Sequence, residues 1–333
     1  MVVGPNGAGK TNLVEAVFLL ATGRSFRAAK EEQMIRNGSE LARVKAVVER
    51  RGGREELEVV LTRGEVGGER VARKRYLVDG VGKRRREFLG RLMAVVFRPE
   101  DMELVLGSPA VRREWLDGVL EQVDWEYREC SAAYKKGLRM RNRLLDEIRE
   151  GRAQRSQLFY WDKLLIKNGQ VIERKREEFL EFVNRVLAEG LGAEFAVVLE
   201  YDRSGISEQR LARYAAAELA AGATLVGPHR DEVVIKRKGG RRLAWFGSRG
   251  EQRLAVLGLK LAELRFLEEK KGEKPVLLLD DVFSELDEES RQLVWRAMRG
   301  LQSLVTTADE ELVREEVWGR MKVVKLGGQD GED

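Results

Sequence analysis

The sequence predicts an α/β fold whose sheet-forming head is interrupted by a helical arm, and three observations carry that prediction. A glycine-rich loop, Gly4-Pro5-Asn6-Gly7-Ala8-Gly9-Lys10-Thr11, runs straight into an apolar helix. A hydrophobic run, Val276-Leu277-Leu278-Leu279, ends on the paired carboxylates Asp280-Asp281. Between them, from Pro109 to Glu189, apolar residues recur at helical spacing with no proline after Pro109. The expected division is a discontinuous head with a mixed sheet, residues 1–107 and 222–333, around a mainly helical arm at 108–221.

The elements follow in order. The opening loop fits G-x-x-x-x-G-K-[ST], in which glycines let backbone N–H groups curl around a β-phosphate. Lys10 would reach the β- and γ-phosphates, and Thr11 would offer its hydroxyl to Mg²⁺. The helix from Thr11 to about Ala21 points its positive end at the same phosphates, and its apolar surface suits burial against a sheet. Leu41–Arg50 and Glu55–Arg63 read as strands across a Gly52-Gly53 turn, with Leu57, Val59 and Leu61 alternating. Arg75–Val78 is a further strand, Lys83–Leu92 a basic helix, and Met93–Phe97 a strand stopped by Pro99.

The arm is expected as three helices, Pro109–Asp124, Trp125–Arg149 and Gln154–Glu189, broken near Gly151. Ala193–Tyr201 then reads as strand and Ser207–Ala221 as helix. Glu232–Lys238 and Arg241–Phe246 pair on paper as a hairpin across Gly239-Gly240. Gly250–Lys271 is a helix with Leu254, Leu257, Leu261, Leu264 and Leu267 along one side. Pro275–Leu279 and Leu301–Thr306 are strands flanking a helix at Asp287–Arg299. A helix from Asp309, an edge strand at Val323–Leu326 and a frayed tail complete the chain.

Composition narrows the function classes. A chain of 333 residues can bury a large core in two domains, and its net charge of +5 is modest beside 35% charged residues. The basic residues cluster locally, at Arg73–Arg75, at Lys83–Arg86, at Lys135-Lys136 with Arg139, Arg141 and Arg143, and at Lys236–Lys238 with Arg241-Arg242. Each cluster alone suits a solvated face; several beside a nucleotide site suit a polyanion. Cys130 is the only cysteine, so no internal disulfide or thiolate cage can form. No stretch is apolar enough to cross a membrane, which points to a cytoplasmic protein without a membrane partner.

Val276–Asp281 supplies the second half of a nucleotide site. The strand delivers Asp280 to the Mg²⁺ shell, and Asp281 can orient or deprotonate the attacking water. Ser248-Arg249-Gly250-Glu251-Gln252 resembles the S-x-G-[EQ]-Q signature of ABC-type ATPases. A serine hydroxyl and a glycine N–H at a helix start can cap a γ-phosphate, although plain N-capping uses the same serine. Ser284–Asp287 resembles the D-loop, and Thr306-Thr307 stand where that class usually places a switch histidine. In ABC-type ATPases the signature closes the nucleotide site of a second subunit, which implies an ATP-dependent homodimer. Lys10 and Asp281 are thus the catalytic candidates, and Thr11 and Asp280 the metal candidates. Gly4 to Thr11 with Ser248, Gly250 and Gln252 are the nucleotide-binding candidates.

Longer stretches sharpen the resemblance to the RecF family of bacterial DNA replication and repair proteins. They are Thr11–Ala16 leading to Ala21–Arg27, Phe97–Asp101 with Gly107–Pro109, and Arg112-Arg113 with Leu116-Asp117. Gly227–Asp231, Ser248–Arg253 and Leu279–Asp287 complete the set. The resemblance implies an ABC-type head with a helical second domain, ATP-driven dimerisation and weak ATP hydrolysis used as a switch. It also implies binding of single-stranded, double-stranded and gapped DNA, work with the RecR and RecO proteins in loading recombinase, and support of the SOS response. Arg24, Arg27 and Arg230 are candidate phosphate contacts or structural ion pairs, Trp125, Tyr127, Tyr160 and Trp161 stacking or core residues, and His229 a satisfied structural imidazole. RecF proteins begin about 30 residues further upstream, with a strand pair carrying Asn-Phe-Arg; a head without it would expose a raw sheet edge. A misplaced start codon or a shortened chain would account for the difference. Two alternatives remain open: an ATP-binding scaffold without significant hydrolysis, and the ATPase subunit of a membrane transporter.

Overall fold

The computed structural model describes residues 1–28, 30–50, 53–190, 197–308 and 321–327. They form two compact units, Met1–Asp101 with Leu259–Asp333, and Met102–Gly258. The first unit opens with β1 (Val2–Val3), α1 (Lys10–Thr22), β2 (Leu41–Arg50) and β3 (Gly53–Thr62). A small ribbon, β4 (Glu65–Val66) and β5 (Glu69–Arg70), precedes β6 (Lys74–Val78), β7 (Val81–Lys83), α2 (Arg85–Phe88) and β8 (Ala94–Phe97). The second unit holds α3 (Glu103–Leu106), α4 (Pro109–Val123), α5 (Trp125–Arg149) and α6 (Leu158–Gly190). It continues through β9 (Val197–Asp202), α7 (Glu208–Ala221), β10 (Glu232–Arg237) and α8 (Leu243–Phe246). Helix α9 (Arg249–Lys271) carries the chain back to the first unit, which ends in β11 (Val276–Asp280), α10 (Glu288–Met298), β12 (Ser303–Thr307) and β13 (Val324–Lys325).

Both pairing types expected of a mixed head are present, on two sheets. One is parallel, in the order β13-β1-β12-β11-β8, and the other antiparallel, in the order β2-β3-β6-β7. Strand β1 is flanked on both sides, by β12 and β13, so it presents no raw edge. Helix α1 contributes to two cores. Val14 and Ala21 pack with Ala94, Val96 and Leu278 of the parallel sheet, while Leu19 and Leu20 pack with Leu57, Val59 and Leu61 of β3. Burying each such leucine contributes about 2 kcal/mol, which explains a helix apolar nearly all round.

The far end of α1 is tied down as firmly. Gly23 ends it in the left-handed region at φ 66° and donates back to the Leu19 carbonyl. The Thr22 carbonyl accepts from Arg85 at 2.8 Å, and the Gly23 carbonyl from Lys74 at 2.7 Å. Two cations thus meet the negative end of the helix that begins at the glycine-rich loop.

Three sequence expectations change. The segment at 222–258, expected in the head, lies in the second unit, because β10 pairs antiparallel with β9 along Glu232–Arg237. The hairpin partner Arg241–Phe246 is not a strand: only a single Lys236–Arg242 bridge forms, and Leu243–Phe246 turns into α8 around the buried Leu243 side chain. The basic helix expected over Lys83–Leu92 shrinks to α2, with Val81–Lys83 in the sheet. The expected helix from Asp309, the Gly52 half of the turn, Ala193 to Ala196 and the tail beyond Gly327 lie outside the described residues.

The second unit is organised around buried ion pairs. Arg176 donates to Asp117 at 2.8 Å, Asp231 at 3.0 Å, the Tyr127 hydroxyl at 3.1 Å and the Pro228 carbonyl at 2.7 Å. Against the upward push of burial, Arg176 and Lys135 hold the Asp117 carboxyl well below the usual carboxylate range. Arg141 is buried likewise, between Glu218 and Asp162 at 2.7 Å each.

Candidate functional site

The site grows from the carboxyl ends of parallel strands, where such sheets commonly bind ligands. The chain leaves β1 at Gly4, whose Cβ position would collide with the Leu326 carbonyl, so β13 closes tightly on the loop only because the residue is glycine. Gly7 and Gly9 hold φ of 86° and 91°, which glycine adopts freely. Pro5, Asn6 and Gly7 face solvent, Ala8 donates to the Pro5 carbonyl, and α1 starts at Lys10.

Lys10 is 7% exposed. Its ammonium donates to the carbonyls of Gly4 at 2.6 Å and Pro5 at 3.0 Å, with no carboxylate partner among the described residues. A buried cation held only by carbonyls is costly until an anion reaches it. Next to it, the Thr11 hydroxyl donates to Asp280 Oδ1 at 3.1 Å. Strand register brings Asp280 opposite Thr306, and Thr306 opposite Val2, so β12 joins the loop strand to the carboxylate strand.

The sequence noted Thr306 as a missing switch histidine and missed its work. Its hydroxyl donates to Asp280 Oδ1 at 2.6 Å, and its carbonyl accepts from the Asp281 N–H at 3.1 Å. Thr306 therefore holds the Asp280 carboxylate by its side chain and the Asp281 backbone by its carbonyl. Asp281 follows in the left-handed region at φ 52°, a cost that Asp tolerates better than most side chains. The only prior signal was a threonine of β propensity at the end of an apolar strand. A second support also escaped the sequence reading: Glu15, buried on α1, receives the Ser25 hydroxyl and an ion pair from Arg27, which also donates to Asn12.

The residues fit a magnesium ion. Ligands at about 2.1 Å in octahedral geometry stand about 3 Å apart along an edge, close to the separation of Thr11 Oγ1 and Asp280 Oδ1. Among the described residues no three His, Cys, Asp or Glu side chains converge. The remaining positions would fall to phosphate and water oxygens, as is usual for Mg²⁺.

The signature segment lies in the second unit. Ser248 and Glu251 form a capping box: the Glu251 N–H donates to the serine hydroxyl at 3.2 Å, and the Ser248 N–H to the carboxylate at 2.7 Å. Gly250 is exposed, and a Cβ there would meet open space, so no contact within the chain requires glycine. Gln252 corrects the expectation of a nucleotide ligand. It is 6% exposed, and its amide donates to the carbonyls of Leu243, Ala244 and Gly247, locking α8 to α9.

Of the candidate phosphate contacts, Arg27 is in an ion pair with Glu15, and Arg230 donates to the Thr224 carbonyl. In the basic cluster of the arm, Lys135, Arg141 and Arg143 all have carboxylate partners. Tyr127 is core, whereas Trp125 and Tyr160 are exposed. His229 is the satisfied imidazole the sequence suggested: Nε2–H donates to the Thr224 carbonyl at 3.0 Å, and the Tyr134 hydroxyl donates to Nδ1 at 2.8 Å. Burial pushes it down to about 4. The unfolded chain therefore binds a proton below its ordinary value of about 6.5 that the folded chain refuses, so this contribution to stability is lost as pH falls from about 6.5 to about 4. Burial also pushes Glu173 up to about 7, with the opposite sign, so a difference measurement is needed. Between about pH 7.5 and pH 4.5, the parent should lose about 2–3 kcal/mol more denaturant-measured stability than His229→Gln. Equal losses would rule out the neutral, buried imidazole.

Known proteins resemble this chain in sequence and in fold. The sequence model of the RecF/RecN/SMC N terminal domain matches residues 1–326. The DNA replication and repair protein RecF of Synechococcus sp. (strain JA-3-3Ab) is 41% identical over 329 residues, covering 92% of this chain and 84% of that protein. The protein of the same name from Thermomicrobium roseum is 38% identical over 352 residues, covering 94% and 88%. A solved structure of the recombination mediator protein RecF, described as RecF-ATP in the RecFOR pathway, superposes with a TM-score of 0.84 at 33% identity. It matches 94% of this chain and 86% of its own.

Proposed function

Because the chain belongs to the RecF family of DNA replication and repair proteins, we propose that it is an ATP-switched, DNA-binding protein of recombinational repair and replication. The observation that carries the nucleotide half is the buried Lys10 ammonium, held by two loop carbonyls beside the Thr11–Asp280 pair. A triphosphate supplies the anion that Lys10 lacks, and the N–H groups of the loop and of the first turn of α1 receive the β-phosphate. Bound there, Mg²⁺ would neutralise charge between the β- and γ-phosphates, with Thr11 and Asp280 as its protein-side oxygens. Asp281 accepts the proton of the attacking water, so hydrolysis resets the switch.

Ser248 and Gly250 serve a second copy of the chain. A glycine in a helix is less favourable than alanine, by up to about 1 kcal/mol in the interior and by less in the first turn. At Gly250 nothing within the chain repays that cost, whereas close approach of a phosphate on another subunit would. Two such half-sites give an isologous, ATP-held dimer. DNA, single-stranded, double-stranded or gapped, is the ligand the switch controls, with RecR and RecO as protein partners in recombinase loading and the SOS response. None of the described helices is long and apolar enough to cross a membrane.

Sedimentation velocity with and without Mg²⁺–ATP, and with gapped DNA added, tests the proposal on the parent and on Ser248→Arg. The parent should shift from monomer to dimer with ATP; the variant should stay monomeric while still binding ATP. A parent that ignores ATP, or a variant that dimerises equally well, would overturn the trans arrangement.

A further inference from the structure

The turn that leads into Ser248 is strongly basic. From Val233 to Gly250 the chain carries Lys236, Arg237, Lys238, Arg241, Arg242 and Arg249, and no acidic residue. Lys236 pairs with Glu200 and Arg237 with Glu251. Lys238, Arg241, Arg242 and Arg249 are exposed and have no carboxylate partner among the described residues. This contrasts with Lys135, Arg141 and Arg143 of the other basic clusters, whose charges are consumed in ion pairs.

Two large rings stand among these cations. Trp245 is 72% exposed and Phe246 53%. Neither is on a frayed segment. Leu243 anchors α8 in the core, and the three Gln252 amide bonds hold the carbonyls of the turn. The Arg242 guanidinium lies 4.9 Å from the Trp245 ring centroid, and that of Arg241 5.5 Å from Phe246. A ring so exposed, with a guanidinium on one face, keeps another face open to solvent.

Held aromatic faces interleaved with unpaired guanidinium groups match a ligand that offers planar rings and negative charge along one chain. An acidic peptide would use the cations and leave the indole face bare. A lipid surface calls for an amphipathic helix, and α8 spans only Leu243–Phe246. We propose that Trp245 and Phe246, with Arg241 and Arg242, form a stacking platform for single-stranded nucleic acid. The assignment rests on the reading of DNA as the controlled ligand and gives that ligand a place. It also links strand and switch: Gln252 bonds the platform's backbone from the helix turn that Ser248 caps, so a bound strand and the signature serine share one rigid segment.

Fluorescence anisotropy tests this, using labelled oligothymidylate and an abasic strand of equal length, on the parent, Trp245→Ala, Trp245→Phe and an Arg241→Ala/Arg242→Ala double variant. Trp245→Ala should weaken oligothymidylate binding about tenfold and leave abasic binding unchanged, with Trp245→Phe retaining most of the affinity. The double arginine variant should lower the slope of log K against log salt by about 0.7 for each phosphate that is no longer neutralised. If the parent binds and Trp245→Ala binds oligothymidylate as tightly, the platform is wrong while the DNA reading stands. Equal weakening toward both strands would refute stacking. If Trp245→Ala loses ATP-driven dimerisation with strand binding intact, the ring serves the partner's nucleotide, and the platform is again wrong. A parent that binds neither strand nor gapped duplex refutes the DNA reading itself.

Discussion

Lys10→Met is expected to remove most of the stabilisation by ATP while leaving the nucleotide-free protein within about 1 kcal/mol of its parent. The reasoning turns on what surrounds the ammonium. Here two carbonyls, at 2.6 and 3.0 Å, are its partners and no carboxylate is left stranded when it goes. The lost bonds and the relieved cost of an uncompensated buried charge offset one another. Ligand binding has no such compensation. Losing the cation between the β- and γ-phosphates should weaken ATP at least about 100-fold, close to 2.7 kcal/mol. At an ATP concentration about 100 times its Kd, the parent gains about 2.7 kcal/mol, and the variant should gain only about 0.4 kcal/mol. Chemical denaturation with and without Mg²⁺–ATP measures both numbers. Equal ATP stabilisation would remove Lys10 from the phosphate site, and a nucleotide-free variant that is severely destabilised would mean that the ammonium is compensated after all.

The two stretches most readable in the sequence, the loop and the Val276–Asp281 strand, are also the most local. A turn needing left-handed backbone must show its glycines, and a strand buried on both faces must show an unbroken apolar run. That is why Gly7, Gly9 and Leu277–Leu279 could be placed without neighbours. What joins them could not. Thr306 lies 26 residues from Asp280, and only the parallel register of β11 and β12 brings their side chains together. Leu326 presses on Gly4 from the other end of the chain for the same reason. Gln252 misled because its motif marks a ligand while its side chain answers a local need, three carbonyls of a turn. Arg241–Phe246 misled because alternation over so few residues does not separate a strand from one helical turn. Tertiary burial of Leu243 settled that choice.

Asp281→Asn is expected to slow the hydrolytic step by about 100- to 10,000-fold without loss of ATP binding or of ATP-driven dimerisation. Asparagine is the right replacement for a backbone reason. Residue 281 sits at φ 52°, where an alanine would add strain to the loss of the carboxylate, and where Asn is tolerated about as well as Asp. The Asp281 N–H can keep its bond to the Thr306 carbonyl, and Asp280 keeps both hydroxyls, from Thr11 and from Thr306. Only the capacity to take a proton is removed. A single-turnover experiment isolates that step, because it is blind to product release and subunit exchange. Sedimentation on the same sample should show dimers that persist for as long as ATP does, since the reset has been disabled while the closed state is intact. An unchanged single-turnover rate would show that another group activates the water. A slowed rate accompanied by lost dimerisation would show instead that Asp281 shapes the closed interface, with its effect on chemistry following from that.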